Sequence, residues 1–352
     1  MSTIVLTGGG TAGHVTPHIT LENKLKKHFS NIVYIGSKNG IEKQLIKSQT
    51  NFDYKEIETV KFVRKKFFKN ILIPFKLSKA ISDAKKILKE TKPDIIFSKG
   101  GYVGLPVVIA GNKLNIPIVC HESDISMGLA NKLAKKYANI ICTNFLVTAK
   151  KHGKKCVHTG SPISLSNLTK SEAKNKLNIS TQKPILLITG GSSGAKTINE
   201  FIYKNLNQLT EKFYVIHLVG NGNLNKNLSN KNYKQIEFSN DMKTLFRVAD
   251  FAISRAGANT IFELLSNMVP TILIPLPKGA SRGDQIDNAN YLSSLGVSKT
   301  ILQENLTPKT LFDSIDYLEK NAKTIKENIK KHNFTDGSAK IMQILLKEKI
   351  KR

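Results

Sequence analysis

Seven consecutive residues near the N-terminus, Gly8-Gly9-Gly10-Thr11-Ala12-Gly13-His14, combine an anion site with a titratable group. They follow the apolar run Thr3-Ile4-Val5-Leu6-Thr7, which reads as a short buried strand, and they precede Pro17, which opens an amphipathic helix. Glycines in such a strand–turn–helix let backbone N–H groups approach a phosphate, and the helix dipole favours negative charge there. His14 adds an imidazole whose ordinary pKa of about 6.5 suits proton transfer near neutral pH. A tight turn alone explains the glycines but asks for no histidine. Gly8-x-Gly10-x-x-Gly13 also matches the dinucleotide fingerprint, which wants an acid about 20 positions on, at the tip of the second strand. Here the second strand, Asn31 to Ile35, runs into Gly36-Ser37-Lys38, and no acid stands there.

Two further turns offer related chemistry. Gly190-Gly191-Ser192-Ser193-Gly194-Ala195-Lys196-Thr197 follows another apolar run and nearly spells a P-loop. Ala195 stands where that loop needs glycine, and no Walker-B acid follows in order, so a second phosphate-contacting turn is the better account. Ser254-Arg255-Ala256-Gly257-Ala258-Asn259-Thr260-Ile261-Phe262-Glu263 also lies where a strand meets a helix. One reading is helix capping by Asn259 or Thr260, with Glu263 in the first turn. The other is that Glu263 accepts from a ribose diol while the helix N-terminus faces a diphosphate.

The elements that position these residues alternate between strand and helix throughout, which predicts parallel sheets of βα units. Strands are expected at Thr3–Thr7, Asn31–Ile35, Asp94–Ser98, Ile116–Cys120 and Asn139–Thr143, then at Ile185–Thr189, Tyr214–Val219, Ile236–Phe238, Phe251–Ser254 and Thr271–Ile274. The repetition indicates two Rossmann-like domains, at 1–160 and 165–335, joined near Gly160-Ser161-Pro162. A last helix, Ala339–Ile350 within 339–352, is read as crossing back to the first domain. Ligands of open α/β sheets sit at the carboxyl ends of strands, where all three turns fall, so a cleft that clamps a nucleotide diphosphate is expected.

Size and composition agree. At 352 residues the chain suits two domains, and 40% hydrophobic residues is ordinary for a globular protein. No apolar run of roughly 18 residues suggests a membrane span, and a chain entering a strand at once suggests no signal peptide. Cys120, Cys142 and Cys156 lack metal-ligand spacing and are expected to be core thiols of a reducing compartment. The outlier is a net charge of +28, which implies an acidic partner.

Six motifs occur in order: Gly9-Gly10-Thr11-Ala12-Gly13-His14, Lys99-Gly100-Gly101-Tyr102, His121-Glu122, Gly190-Gly191-Ser192-x-Gly194-Ala195, Arg255-Ala256-Gly257-Ala258 and Asp284-Gln285-x-x-Asn288-Ala289. The set, spread over nearly the whole chain, resembles the MurG family. The resemblance implies an α/β GT-B fold, two Rossmann-like domains with parallel sheets facing across a cleft. It implies inverting transfer of N-acetylglucosamine from UDP-N-acetylglucosamine to lipid-linked undecaprenyl-pyrophosphoryl-muramyl-pentapeptide, in peptidoglycan synthesis. It also implies peripheral attachment to the cytoplasmic face of the cell membrane. Carried over by position, Thr11, Ala12, Gly13, Asp124, Ser192, Glu263 and Gln285 would bind the UDP-sugar, Glu263 at the ribose and Gln285 at sugar hydroxyls. Ala12 replaces a glycine usual there, Asp124 an asparagine, and Ser164 the arginine of a linker motif. Serine cannot make the arginine's bidentate phosphate contact, and Arg255, Lys196 or Arg282 would have to compensate.

An inverting transfer needs a base for the acceptor hydroxyl. His14 is the first candidate, and Glu122 is the second, either as base or as the group that orients His14. No Asp-x-Asp stands where a metal would bridge the diphosphate, so no metal and no cofactor are expected, and helix N-termini would meet the leaving charge. Lys61 to Lys79 interleaves cations with Phe62, Phe67, Phe68 and Phe75 and contains no acid, which suits an anionic membrane surface. Leu77 to Leu88 has the spacing of an ordinary amphipathic core helix. An NAD(P) oxidoreductase and a nucleic-acid-binding protein are the readings from other classes. The missing ribose acid and the duplicated turns oppose the first; the absence of a reading module opposes the second, so no nucleic acid is expected. Another GT-B transferase with a soluble acceptor is the nearest rival.

Overall fold

The computed structural model describes residues 2–59, 73–191, 194–279 and 281–350. The chain divides into two compact units, residues 1–163 with 336–352, and residues 164–335.

The first unit is built on strands β1 (Thr3–Thr7), β2 (Asn31–Ser37), β3 (Asp53–Ile57), β4 (Ile95–Ser98), β5 (Ile118–Glu122), β6 (Ile140–Thr143) and β7 (Cys156–His158). They form a parallel sheet in the order β3-β2-β1-β4-β5-β6-β7. Every residue of β1 is buried, as expected when both faces of a parallel sheet are covered. Side chains alternate between two cores. Val5, Val33 and Ile96 pack with Ala84, Leu88 and Val107 on one face. Ile4, Leu6 and Phe97 pack with Leu21, Leu25 and Ile46 on the other. The helix Ile73–Thr91 buries Ala80, Ala84 and Leu88, which lie on one stripe at successive fourth positions. The final helix, Ser338–Ile350, places Ile341, Met342 and Leu345 in the second of these cores. Its start is pinned by Asp336, whose Oδ1 accepts from Ile163 N at 3.2 Å and Ser338 N at 2.9 Å, and whose Oδ2 pairs with Lys24 at 3.0 Å. Cys120, Cys142 and Cys156 are buried free thiols, and burial pushes the Cys142 thiol up to about 12.

The second unit carries β8 (Ile185–Thr189), β9 (Tyr214–Leu218), β10 (Tyr233–Ile236), β11 (Phe251–Ser254), β12 (Thr271–Leu273) and β13 (Ser298–Thr300). Its parallel order is β10-β9-β8-β11-β12-β13. In each unit one strand has neighbours on both sides whose connections run in opposite directions: β1 between β2 and β4, and β8 between β9 and β11. These are topological switch points, where a crevice opens at the carboxyl ends. The glycine turns after β1 and after β8 stand at those points.

Four strands differ from the sequence reading. β3, β7 and β13 were not anticipated, and β10 ends at Ile236, where a strand was expected to begin. All are edge strands or next to an edge, short and half-exposed. Only Ile57 of β3 is buried, so the chain has no apolar run there to read.

Candidate active site

At the first switch point, Ala12–His14 form a single 3-10 turn before the helix Thr16–Leu25, whose first turn contains Pro17. Only Gly10 in this segment has positive φ, at +87°, so Ala12 sits in a conformation open to alanine. Half-buried His14 turns its Nδ1 inward, 3.0 Å from Gly9 O and 3.1 Å from Thr11 Oγ1. A carbonyl can only accept, so Nδ1 carries the proton and the lone pair lies on Nε2, the atom that can take a proton. The turn after β4 backs this arrangement. Gly101 has φ +77°, and a Cβ there would lie 2.5 Å from Gly9 O and 3.4 Å from His14 Nδ1.

Glu122 has another task. It is buried, Oε1 accepts from Asp124 N at 3.0 Å, and Oε2 accepts from Gly128 N at 2.9 Å and Asn131 Nδ2 at 3.0 Å. Its carboxylate holds the loop 123–128, and the orienting acceptor of His14 is the Gly9 carbonyl. His121 is buried as well, not a solvated strand end. Its Nε2 donates to Gly160 O at 3.2 Å, so Nδ1 accepts from Lys99 Nζ at 2.6 Å. Lys99 Nζ also donates to Ser123 Oγ at 2.8 Å. Burial pulls the Lys99 ammonium down to about 7 against the opposing fields of Glu122 and Asp124. His18, buried beside it with Nε2 3.2 Å from Thr7 O, is held down to about 3 by desolvation and then by the Lys99 charge. Asp124 is half-buried at the rim of this cluster.

The residues expected to hold a nucleotide belong to the second unit, in the segments that follow the adjacent strands β8, β11 and β12. After β8, Gly191 has φ +87° with no atom within 4 Å of an added Cβ, while Gly194, at φ +72°, lies against Val219 O. Lys196 starts the next helix, Lys196–Lys204, with its side chain 87% exposed and its Nζ 3.8 Å from Glu200 Oε1. Ser192 lies outside the described residues.

After β11, the helix Ala258–Ser266 is capped by Gly257 with no side-chain cap, so neither Asn259 nor Thr260 caps it. Glu263 falls in the second turn, and no hydrogen bond or ion pair reaches its carboxyl group among the described residues. Desolvation raises that carboxyl to about 8. Gln285, in the first turn of Asp284–Ser294, accepts from Leu276 N at 3.1 Å through Oε1, which leaves the NH₂ as the amide's donor end. Arg255 does not replace the linker arginine. Its guanidinium is buried and donates to Ile274 O, Pro275 O and Gln303 Oε1 at 3.1, 3.2 and 2.7 Å. Ser164 is exposed, and Arg282 lies 3.5 Å from Asp284. Of the three cations considered, Lys196 has the most exposed side chain.

Sequence reasoning gave no role to Glu42 or Lys99, two charged residues wholly buried beside the first turn. The signal for Glu42 was the surplus of glycine around it, at Gly9, Gly10 and Gly40.

Residues 4–143 match the glycosyltransferase family 28 N-terminal domain, and residues 185–344 match the glycosyltransferase family 28 C-terminal domain. A curated protein of Clostridium botulinum is 45% identical over 352 residues, covering 99% of each chain. It is named UDP-N-acetylglucosamine--N-acetylmuramyl-(pentapeptide) pyrophosphoryl-undecaprenol N-acetylglucosamine transferase. The protein of that name from Clostridium tetani is 44% identical over 349 residues, with 98% of this chain and 97% of that one covered. The crystal structure of Acinetobacter baumannii MurG matches with a TM-score of 0.77 at 25% identity, over 99% of this chain and 100% of that one. A calicheamicin glycosyltransferase, with a TM-score of 0.74 at 12% identity and 99% and 98% coverage, shares the fold alone. Identity along the full chain, both family 28 domains in order and two parallel-sheet units of the GT-B kind place the protein: it belongs to the MurG family of N-acetylglucosaminyltransferases.

Proposed function

We propose that this chain transfers N-acetylglucosamine from UDP-N-acetylglucosamine to the muramyl sugar of undecaprenyl-pyrophosphoryl-muramyl-pentapeptide. The observation that carries this is full-length identity to enzymes named for that reaction. In this reading the first unit serves the acceptor and the second holds the donor. His14 Nε2 removes the proton from the acceptor hydroxyl, whose oxygen attacks the anomeric carbon as the bond to UDP breaks. Inversion follows from a single displacement. The Gly9 carbonyl keeps the proton on Nδ1 and stabilises the imidazolium as it forms. Charge on the departing diphosphate is met by the backbone amides of the Gly190–Gly194 turn, by the start of the helix Ala258–Ser266 and by Lys196. Glu263 accepts from the ribose diol, and Gln285 Nε2 donates to a sugar oxygen. Thr11, Ala12, Gly13 and Asp124 border the sugar of the donor. Ser192 belongs to the diphosphate turn.

The acceptor is membrane-bound, so the enzyme reaches it by peripheral contact with the cytoplasmic face. Among the described residues no helix is long and apolar enough to cross a membrane. Most of the proposed contact, Lys61 to Leu72, lies outside the described residues. At its described end Phe75 is 75% exposed beside Lys76 and Lys79. The test is transfer of labelled sugar from UDP-N-acetylglucosamine to a lipid-linked muramyl acceptor. Product with the lipid-linked acceptor but not with a soluble sugar supports the reading, and the reverse preference would transfer the protein to the soluble-acceptor class.

A further inference from the structure

Gly10 N–H, one of the amides a glycine-rich turn offers to a phosphate, is already occupied. It donates to Glu42 Oε2 at 3.2 Å. Glu42 is fully buried, and its Oε1 accepts from Ser37 N at 3.1 Å and from Ser37 Oγ. Space for the carboxylate is provided by glycine on both sides. A Cβ on Gly9 would lie 2.6 Å from Glu42 Cδ, and one on Gly40 would lie 2.2 Å from Glu42 Oε1. Tyr102 closes the turn from above, since a Cβ on Gly10 would meet its ring at 2.6 Å. Tyr54 braces Ser37 by donating to its carbonyl at 2.7 Å.

The turn is therefore built around an internal anion. We propose that Glu42 is a positioning residue for the transfer: by binding Gly10 N–H from behind the turn it fixes the Gly9 carbonyl, and that carbonyl fixes the ring and tautomer of His14. The inference rests on His14 acting as base. The chain of contacts is short and each link is directional. A carboxylate takes donors on both oxygens, as the Ser37 and Gly10 amides require, and no neutral side chain of that size does. Glutamine would aim an NH₂ group at one of those N–H donors and leave it unpaired. Glu42→Gln is thus not conservative here, although its shape is nearly unchanged.

The test combines kinetics with a readout that needs no substrate. In the Glu42→Gln protein, kcat should fall about 10- to 100-fold, while the KM for UDP-N-acetylglucosamine should change less than about threefold. In ¹⁵N spectra of imidazole-labelled protein, His14, assigned by its loss in His14→Ala, should pass from one Nδ1–H tautomer to a mixture of both. Unchanged kcat together with an unchanged His14 tautomer overturns the proposal. If Glu42→Gln does not fold, Glu42→Asp decides, because it keeps the charge but draws it away from Gly10. A tautomer mixture in the folded aspartate variant supports the proposal, and parental spectra and kcat overturn it. If His14→Ala itself retains activity, the assignment of the base fails, while the spectra still report whether Glu42 sets the ring.

Discussion

At the scale of single residues, the proposal separates the group that handles the proton from the groups that hold ligands. His14 Nε2 is the base in this reading, whereas the UDP contacts lie in the second unit. His14→Ala should lower turnover by about 10²- to 10⁴-fold, the usual span for a lost general base. UDP affinity by calorimetry should stay within about twofold of the parent. Loss of UDP binding in this variant would make the residue structural. Glu263 gives a second, pH-resolved prediction. Its carboxyl titrates near 8 in the folded protein, against about 4.5 in an ordinary glutamate, because burial disfavours the charge. The unfolded chain therefore binds fewer protons between those values, and this residue's contribution to stability falls as pH rises from about 4.5 to 8. Glu263→Gln should remove that loss, so its melting temperature should exceed the parent's by more at pH 8 than at pH 5. UDP binding should show the opposite sign, because a ribose diol donates best to the ionised carboxylate. Affinity of the parent should rise from pH 6 to 8 relative to Glu263→Gln, and parallel pH curves would remove Glu263 from the ribose.

At the scale of elements, what could be read was set by burial. Thr3–Thr7, Ile185–Thr189 and Phe251–Ser254 were legible to the residue because central parallel strands are continuous apolar runs. Asp53-Tyr54-Lys55-Glu56-Ile57 was not, because its pairing is backbone to backbone at the sheet edge and its side chains carry little signal. The glycine turns after β1 and β8 were legible because each stands at a switch point, where ligands of open sheets bind. The buried charges beside them were not: Glu42 and Lys99 look like surface residues until the fold places Gly10 N–H, Ser37, His121 and Ser123 around them. Gly101 joins two of these elements and tests their coupling. Gly101→Ala adds a Cβ at 2.5 Å from Gly9 O on a backbone at φ +77°. The strain, about 1–3 kcal/mol, falls on the segment that carries His14. Turnover should drop at least about tenfold in protein that still melts cooperatively, and a kcat within twofold of the parent would show that the two turns are not mechanically linked.

At the scale of the whole molecule, 54 basic against 26 acidic residues leave a net charge of +28, for which we propose an anionic partner. Several ion pairs among the described residues are solvent-exposed, such as Lys79–Glu58 with side chains 60% and 63% exposed, and such pairs contribute little to stability. We propose that the excess charge acts over distance on an anionic surface. Each cation near such a leaflet contributes about 1 kcal/mol, and a few apolar side chains set the depth. Lys61 to Lys79 has that composition, and its described end presents Phe75 to solvent. Binding to vesicles containing anionic phospholipid should therefore weaken steeply between about 0.05 and 0.5 M salt, as screening shortens to a few ångströms. Vesicles of neutral phospholipid alone should bind poorly at any salt. Replacing Lys65, Lys66 and Lys69 together by glutamate should abolish the anionic-vesicle signal in co-sedimentation while leaving UDP affinity intact, because the donor residues lie in the other unit. Transfer to a lipid-linked acceptor in vesicles should fall with binding, and transfer to a detergent-dispersed acceptor should be retained. If the triple variant sediments with anionic vesicles as well as the parent does, the segment is not the membrane contact, and the charge that seeks the leaflet must be sought elsewhere on the first unit.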